Sequence, residues 1–74
     1  MRLAELKLGE RAQVLAVPGV DEVSVRLLEM GLTPGASLEL VGIAPLGDPL
    51  ELELRGYRLS IRKREAELVE IQRI

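Results

Sequence analysis

The chain has 74 residues with 10 basic and 12 acidic side chains, no cysteine, no histidine and one aromatic residue, Tyr57. This length suits one domain, and the missing residue types exclude disulfides, thiolate sites and the imidazole chemistry of most general bases and transition-metal centres. The net charge of −2 lacks the basic excess of a general nucleic-acid binder, and no apolar run approaches the roughly 18 residues of a membrane span.

The opening Met1-Arg2-Leu3-Ala4-Glu5 lacks the apolar run of a secretion signal, so the chain reads as cytoplasmic. Residues 3–8 are weakly patterned and lead to a turn at Gly9-Glu10. Arg11 to Val17 is the first expected strand, with Ala12, Val14 and Ala16 on one face and Leu15 and Val17 on the other. Two apolar faces call for cover on both sides, a barrel interior on one and a helix on the other. Pro18-Gly19 ends the strand.

Asp21 is placed to cap a helix. Val20, Val23, Leu27 and Met30 recur at spacings of three, four and three, which predicts one apolar stripe. Glu22 and Arg26 stand four apart in the favourable order for an ion pair. Gly31 suits the left-handed residue just past the helix, with Leu32 folding back. Pro34-Gly35 fits the centre of a type II turn.

Ala36 to Ile43 is the second expected strand, with Leu38 and Leu40 sharing a face. A loop follows at 45–49. In Leu50 to Arg55, Leu50, Leu52 and Leu54 alternate with Glu51, Glu53 and Arg55, a clear strand pattern. Arg55-Gly56-Tyr57-Arg58 fits a hairpin with Gly56 and Tyr57 as its central residues. That register sets Leu54 opposite Leu59, Leu52 opposite Ile61, Glu53 opposite Ser60 and Glu51 opposite Arg62. Arg62 to Ala66 predicts one helical turn. Glu67 to Arg73 predicts a last strand with Val69 and Ile71 inward. Five short strands can close into a small barrel, partly covered by the helix.

The side chains offer little chemistry. No nucleophile lies near a usable base, so neither a catalytic site nor an enzyme is expected. Gly31 to Gly35 is followed by Ala36-Ser37 and lacks the lysine of a phosphate loop. Without histidine or cysteine, a metal site would need oxygen ligands. Glu51 and Glu53, like Glu22 and Glu29, read better as solvated acids. No metal site and no cofactor are expected.

Four segments together resemble the FeoA family of ferrous iron transport accessory proteins: Arg26-Leu-Leu-Glu-Met-Gly-Leu-Thr-Pro-Gly35, Ala44-Pro-Leu-Gly-Asp-Pro49, Arg55-Gly-Tyr-Arg-Leu-Ser-Ile-Arg62, and Ala66 through Ile71. Leu3 to Val17 fits the family's opening strand, so residues 1–74 are expected to form one such domain. The resemblance implies an SH3-like barrel. It also implies a non-enzymatic role beside FeoB, the membrane protein that moves ferrous iron and carries a cytoplasmic GTP-binding domain. The partner would then be that GTP-binding domain, the place the inner face of the cell membrane, and the effect one on assembly or GTP-linked gating. Contact with the membrane would be only indirect, through the transporter. Transition-metal binding follows only at the level of the family. A related domain ends some metal-dependent repressors, so the alternative is a stand-alone peptide-binding or metal-responsive regulatory barrel. This chain has no helix-turn-helix region and resembles the free-standing form. A nucleic-acid-binding barrel is disfavoured by the lack of stacking aromatics.

Partner contacts are expected on the surface. Val25 and Leu28 fall outside the helix's main stripe, and Leu32 or Leu46 would complete an apolar patch with them. The competing reading packs Leu28 on the barrel. Arg62, Lys63 and Arg64, with Arg55 and Arg58, can meet an acidic partner or form a solvated turn. Tyr57 is an anchor candidate or a cap on the barrel end. An exposed sheet edge can also pair with a partner strand or with a second copy.

Overall fold

The computed structural model describes residues 1–74. A short 3-10 turn, Leu3–Glu5, precedes strand β1 (Arg11–Ala16). Helix α1 (Glu22–Glu29), strands β2 (Ser37–Ile43), β3 (Leu50–Leu54) and β4 (Tyr57–Ile61), helix α2 (Lys63–Ala66) and strand β5 (Glu70–Arg73) follow. The five strands form one antiparallel sheet in the order β4-β3-β2-β1-β5.

Alternation builds the core. Leu38 and Leu40 of β2, and Leu50, Leu52 and Leu54 of β3, point inward. They join Ala12, Val14, Ile61, Val69 and Ile71 in one cluster of 17 buried apolar residues. Leu3 and Leu6 from the N-terminal segment, Leu27 of α1 and Ala66 of α2 complete it. The interior is therefore aliphatic throughout, as a chain with one aromatic residue requires.

The ends of α1 follow local chemistry. The Asp21 carboxylate accepts from the Ser24 N–H at 2.9 Å and caps the first turn. At the other end Gly31 has φ +109°. Its N–H donates to Leu28 O and the Leu32 N–H donates to Leu27 O, the paired bonds of a glycine-terminated helix. Leu32 is thereby folded into the core. Ala36 N donates to Thr33 O at 3.0 Å, and Gly35 has φ +90°, so the expected turn at Pro34-Gly35 is present.

Five local expectations are corrected. Leu15 is 48% exposed rather than covered. It continues the exposed face of Arg11 and Gln13, and the pairing of β1 with β5 slips between Val14 and Ala16 and leaves it without a partner. Val20 is 95% exposed, because it precedes the Asp21 cap and leaves the helical stripe. The inward face of α1 is instead Val23, Ser24 and Leu27, with Met30 at its end. Ser24 is satisfied there, its Oγ donating to Pro18 O. Arg26 does not pair with Glu22 but with Glu65 of α2.

The fourth correction is the hairpin register. Leu54 pairs with Tyr57, Leu52 with Leu59 and Leu50 with Ile61, while Glu53 faces Arg58 and Glu51 faces Ser60. The central turn residues are Arg55 (φ +44°) and Gly56 (φ +89°). Two successive positive φ values define a type I′ turn, so the turn lies one residue earlier than expected. The last strand also starts at Glu70 rather than Glu67, because Ala66 to Val69 still belong to the turn that leaves α2.

Candidate functional site

The features that distinguish this surface gather where the β3–β4 hairpin, the C-terminal end of α1 and α2 meet. The Tyr57 hydroxyl donates to Met30 O at 2.7 Å. One of the carbonyls left free at the end of α1 is satisfied in this way. The hydroxyl lies where a Cβ on Gly31 would be. Tyr57 is thus a clasp between hairpin and helix, and about half of its surface remains exposed.

Glu65 is the second clasp. It is buried, and its Oε1 accepts from the Arg62 N–H at 2.9 Å while Oε2 accepts from Arg26 Nη2. One carboxylate therefore caps α2 and holds α1 against it. The Asp48 carboxylate accepts from the Lys63 N–H at 3.0 Å, tying the β2–β3 loop to the same helix. Arg26 reaches Glu65 through one nitrogen, a single charge-assisted hydrogen bond, because the other carboxylate oxygen is taken by the Arg62 N–H.

Around these clasps lies an open depression of about 550 Å³, lined by Arg26, Met30, Ser60, Ile61, Arg62 and Arg64 among others. The ion pairs of the chain are Arg2–Glu70, Arg26–Glu65 and Arg73–Glu10. Arg55, Arg58, Arg62, Lys63 and Arg64 have none and are all exposed.

The expected contact residues divide into groups. Arg58, Arg62, Lys63, Arg64 and Tyr57 are exposed on β4 or at the start of α2. Val25, 44% exposed, lines a separate depression along α1 with Val20, Val23, Glu22 and Glu29. Leu46, 97% exposed, stands in the β2–β3 loop and does not line that depression. Leu28 is half-buried and packs on the core. Leu32 is fully buried and cannot form part of a docking patch, because the bond from its N–H to Leu27 O turns it inward. Sequence reasoning missed Arg26, Met30 and Glu65. Only the spacing of Arg62 and Glu65 signalled the last, since a glutamate three residues into a helix commonly reaches back to the cap N–H.

Two carboxylates are held below their usual range, and both serve the scaffold. Glu10 accepts from the Lys7 N–H and from Arg73. Asp21 accepts from the Ser24 N–H. No three carboxylates converge on a point where a cation would sit. Glu51 and Glu53 face water on β3.

Residues 1–73 match the model of the FeoA domain. The chain is 36% identical over its full length to a protein of Porphyromonas gingivalis described as a Fe(2+) transport protein A/Fe(2+) transporter FeoB fusion, of which it spans 9%. Among solved structures, the FeoA protein of Chlorobium tepidum is 42% identical with a TM-score of 0.90, covering 100% of this chain and 70% of its own. The FeoA of Stenotrophomonas maltophilia, described as an SH3 domain protein in complex with zinc, is 32% identical with a TM-score of 0.84 over 97% of this chain and 89% of its own. A manganese-dependent transcriptional repressor shares the fold alone, at 10% identity, with a TM-score of 0.89 over 100% of this chain and 36% of its own. Both the matched residues and the five-stranded SH3-like architecture assign the chain to the FeoA family.

Proposed function

We propose that this domain binds the cytoplasmic part of a FeoB-type ferrous iron transporter and tunes its assembly or its GTP-linked gating, without chemistry of its own. The observation that carries this reading is the fusion in Porphyromonas gingivalis, in which a segment 36% identical to the whole of this chain shares one polypeptide with a Fe(2+) transporter FeoB. Two domains held on one chain meet at high effective concentration, an arrangement that suits a standing functional contact. Surface chemistry supports a binding role over a catalytic one. The Tyr57 hydroxyl and the Glu65 and Asp48 carboxylates of the hairpin junction are engaged in clasps, and the free cations beside them are exposed.

Regulation by such a domain needs differential affinity. It can bias the transporter only if it binds one conformational state better than another. A contact of roughly 600–800 Å² per partner suits a domain of this size and gives a modest interface. Pull-down of the soluble GTP-binding domain by this chain, with no nucleotide, with GDP and with a GTP analogue, tests the reading. Retention in at least one state, differing between states, is expected. Absence of retention in all three would remove it. The repressor likeness is one of fold and adds no function to this reading.

A further inference from the structure

We infer that the outer edge of β4 is a docking strand for an extended partner segment in which acidic and apolar residues alternate. The sheet has two edges, β4 and β5. That of β5 is covered by the N-terminal segment: Ile71 N donates to Met1 O, the Met1 amino group to Ile71 O, and Leu3 N to Val69 O. Nothing covers β4. In an antiparallel ladder closed by a two-residue turn, bonded and non-bonded pairs alternate. Leu54 with Tyr57, Leu52 with Leu59 and Leu50 with Ile61 are the bonded pairs. The N–H and C=O of Arg58 and Ser60 therefore point away from β3, and no other part of the chain bonds to them. These four groups stand at the spacing an added strand requires.

Charge selects the occupant. The ten residues from Arg55 to Arg64 carry five cations and no carboxylate, while the other 64 carry five cations against twelve carboxylates. None of the five has an ion-pair partner. An edge that carries Arg58 and is flanked by Arg55 in the turn and by Arg62, Lys63 and Arg64 at α2 resists pairing with a copy of itself, because two such edges would bring like charges together. An acidic strand has the opposite sign and gains from the same charges. The two sides of the edge differ as well. Arg58 and Ser60 lie on the water face, whereas Leu59 and Ile61 turn toward the core. A strand whose acids face Arg58 would set its alternate, apolar residues on the side of Leu59 and Ile61. The inference holds whether or not the partner is the transporter.

The test uses the full chain and a capped seven-residue peptide of alternating glutamate and valine, followed by amide NMR and by anisotropy of a labelled copy. Binding is expected to shift the Arg58 and Ser60 amides, slow their hydrogen exchange, and weaken severalfold between about 0.05 and 0.3 M salt. R58E with R64E, both exposed and free of scaffold bonds, is expected to lose about tenfold or more while the spectrum stays folded. A peptide of the same charge with its pairing amides N-methylated is expected to lose a similar factor. A lysine-valine peptide should not bind. Equal binding of the methylated peptide would overturn the inference, as would shifts confined to other residues or no binding at millimolar peptide. So would tighter binding to phosphatidylserine vesicles or to oligothymidine than to the peptide. Failure here leaves the pull-down with the transporter domain unaffected, so the two readings fail separately.

Discussion

The Tyr57 hydroxyl occupies the space that a β-carbon on Gly31 would need, and it donates its proton to the neighbouring Met30 carbonyl. Gly31 is thus required twice, by its φ of +109° and by the tyrosine. Gly35 has a similar φ, +90°, but open space around it. Gly31→Ala and Gly35→Ala therefore separate two costs. Strain alone should cost Gly35→Ala about 1 kcal/mol. Gly31→Ala should cost at least about 1 kcal/mol more, because the Tyr57 ring must move and its hydrogen bond is lost. Urea unfolding of both variants, alone and with Tyr57→Ala, gives the comparison. The excess cost at Gly31 should vanish once the tyrosine is gone, as a coupled pair requires.

Glu65 and Arg26 should behave unequally although they form one ion pair. Glu65 is buried and accepts two hydrogen bonds, one from the Arg62 backbone. Arg26 keeps 58% of its side chain exposed. Glu65→Ala should cost about 1.5–3 kcal/mol, since it uncaps α2 and releases α1. Arg26→Ala should cost about 1 kcal/mol or less, because an exposed partner contributes little. Glu65→Gln should fall between, as it keeps an acceptor for the Arg62 N–H. Chemical denaturation checks the order of the three.

Much of this fold was legible from local chemistry. Asp21 as cap, Gly31 and Leu32 as helix terminus, and the turn at Pro34-Gly35 each depend on residues a few positions apart. What misled were properties of pairing. Two hairpin registers, differing by two residues, both keep Leu50, Leu52 and Leu54 on the core face, so alternation cannot separate them. The turn itself decides, and Arg55 at φ +44° is not the Asn or Asp that signals a type I′ turn. Leu15 shares the exposed face of Arg11 and Gln13, and its apolar character suggested a cover that no element provides. Arg26 offered a plausible partner four residues away in Glu22, yet chose Glu65, 39 residues on. Within the candidate site, the cations were readable as a run. Their place on and around the ends of an uncovered sheet edge was not, because that depends on which strand the N-terminal segment covers.

The core should tolerate little. Leu40 and Leu52 are wholly buried and face one another across β2 and β3. Truncating either to alanine should cost about 2–5 kcal/mol, a large part of the total for a domain of this length. Thermal melts followed by circular dichroism should show midpoints lowered by well over 10 °C.

Acid should weaken the fold through Glu10 and Asp21. Both have folded-state values below the ordinary range: Glu10 through the Lys7 N–H and then Arg73, Asp21 through the Ser24 N–H. A lowered folded value means that the stabilisation is complete above the ordinary carboxylate range and is lost as pH falls through the folded value. The unfolding midpoint should therefore hold near neutrality and fall below about pH 4. Glu10→Gln with Asp21→Asn keeps hydrogen-bond acceptors but removes both titrations. This variant should show a shallower acid slope, and an unchanged slope would locate the acid sensitivity elsewhere.

Calorimetric titration of this chain into the soluble GTP-binding domain of a FeoB-type transporter, run without nucleotide, with GDP and with a GTP analogue, bears most directly on the proposed role. Measurable binding is expected, with an affinity that differs by about threefold or more between nucleotide states. Equal affinity in every state would contradict regulation, and no heat in any state would contradict the partnership itself.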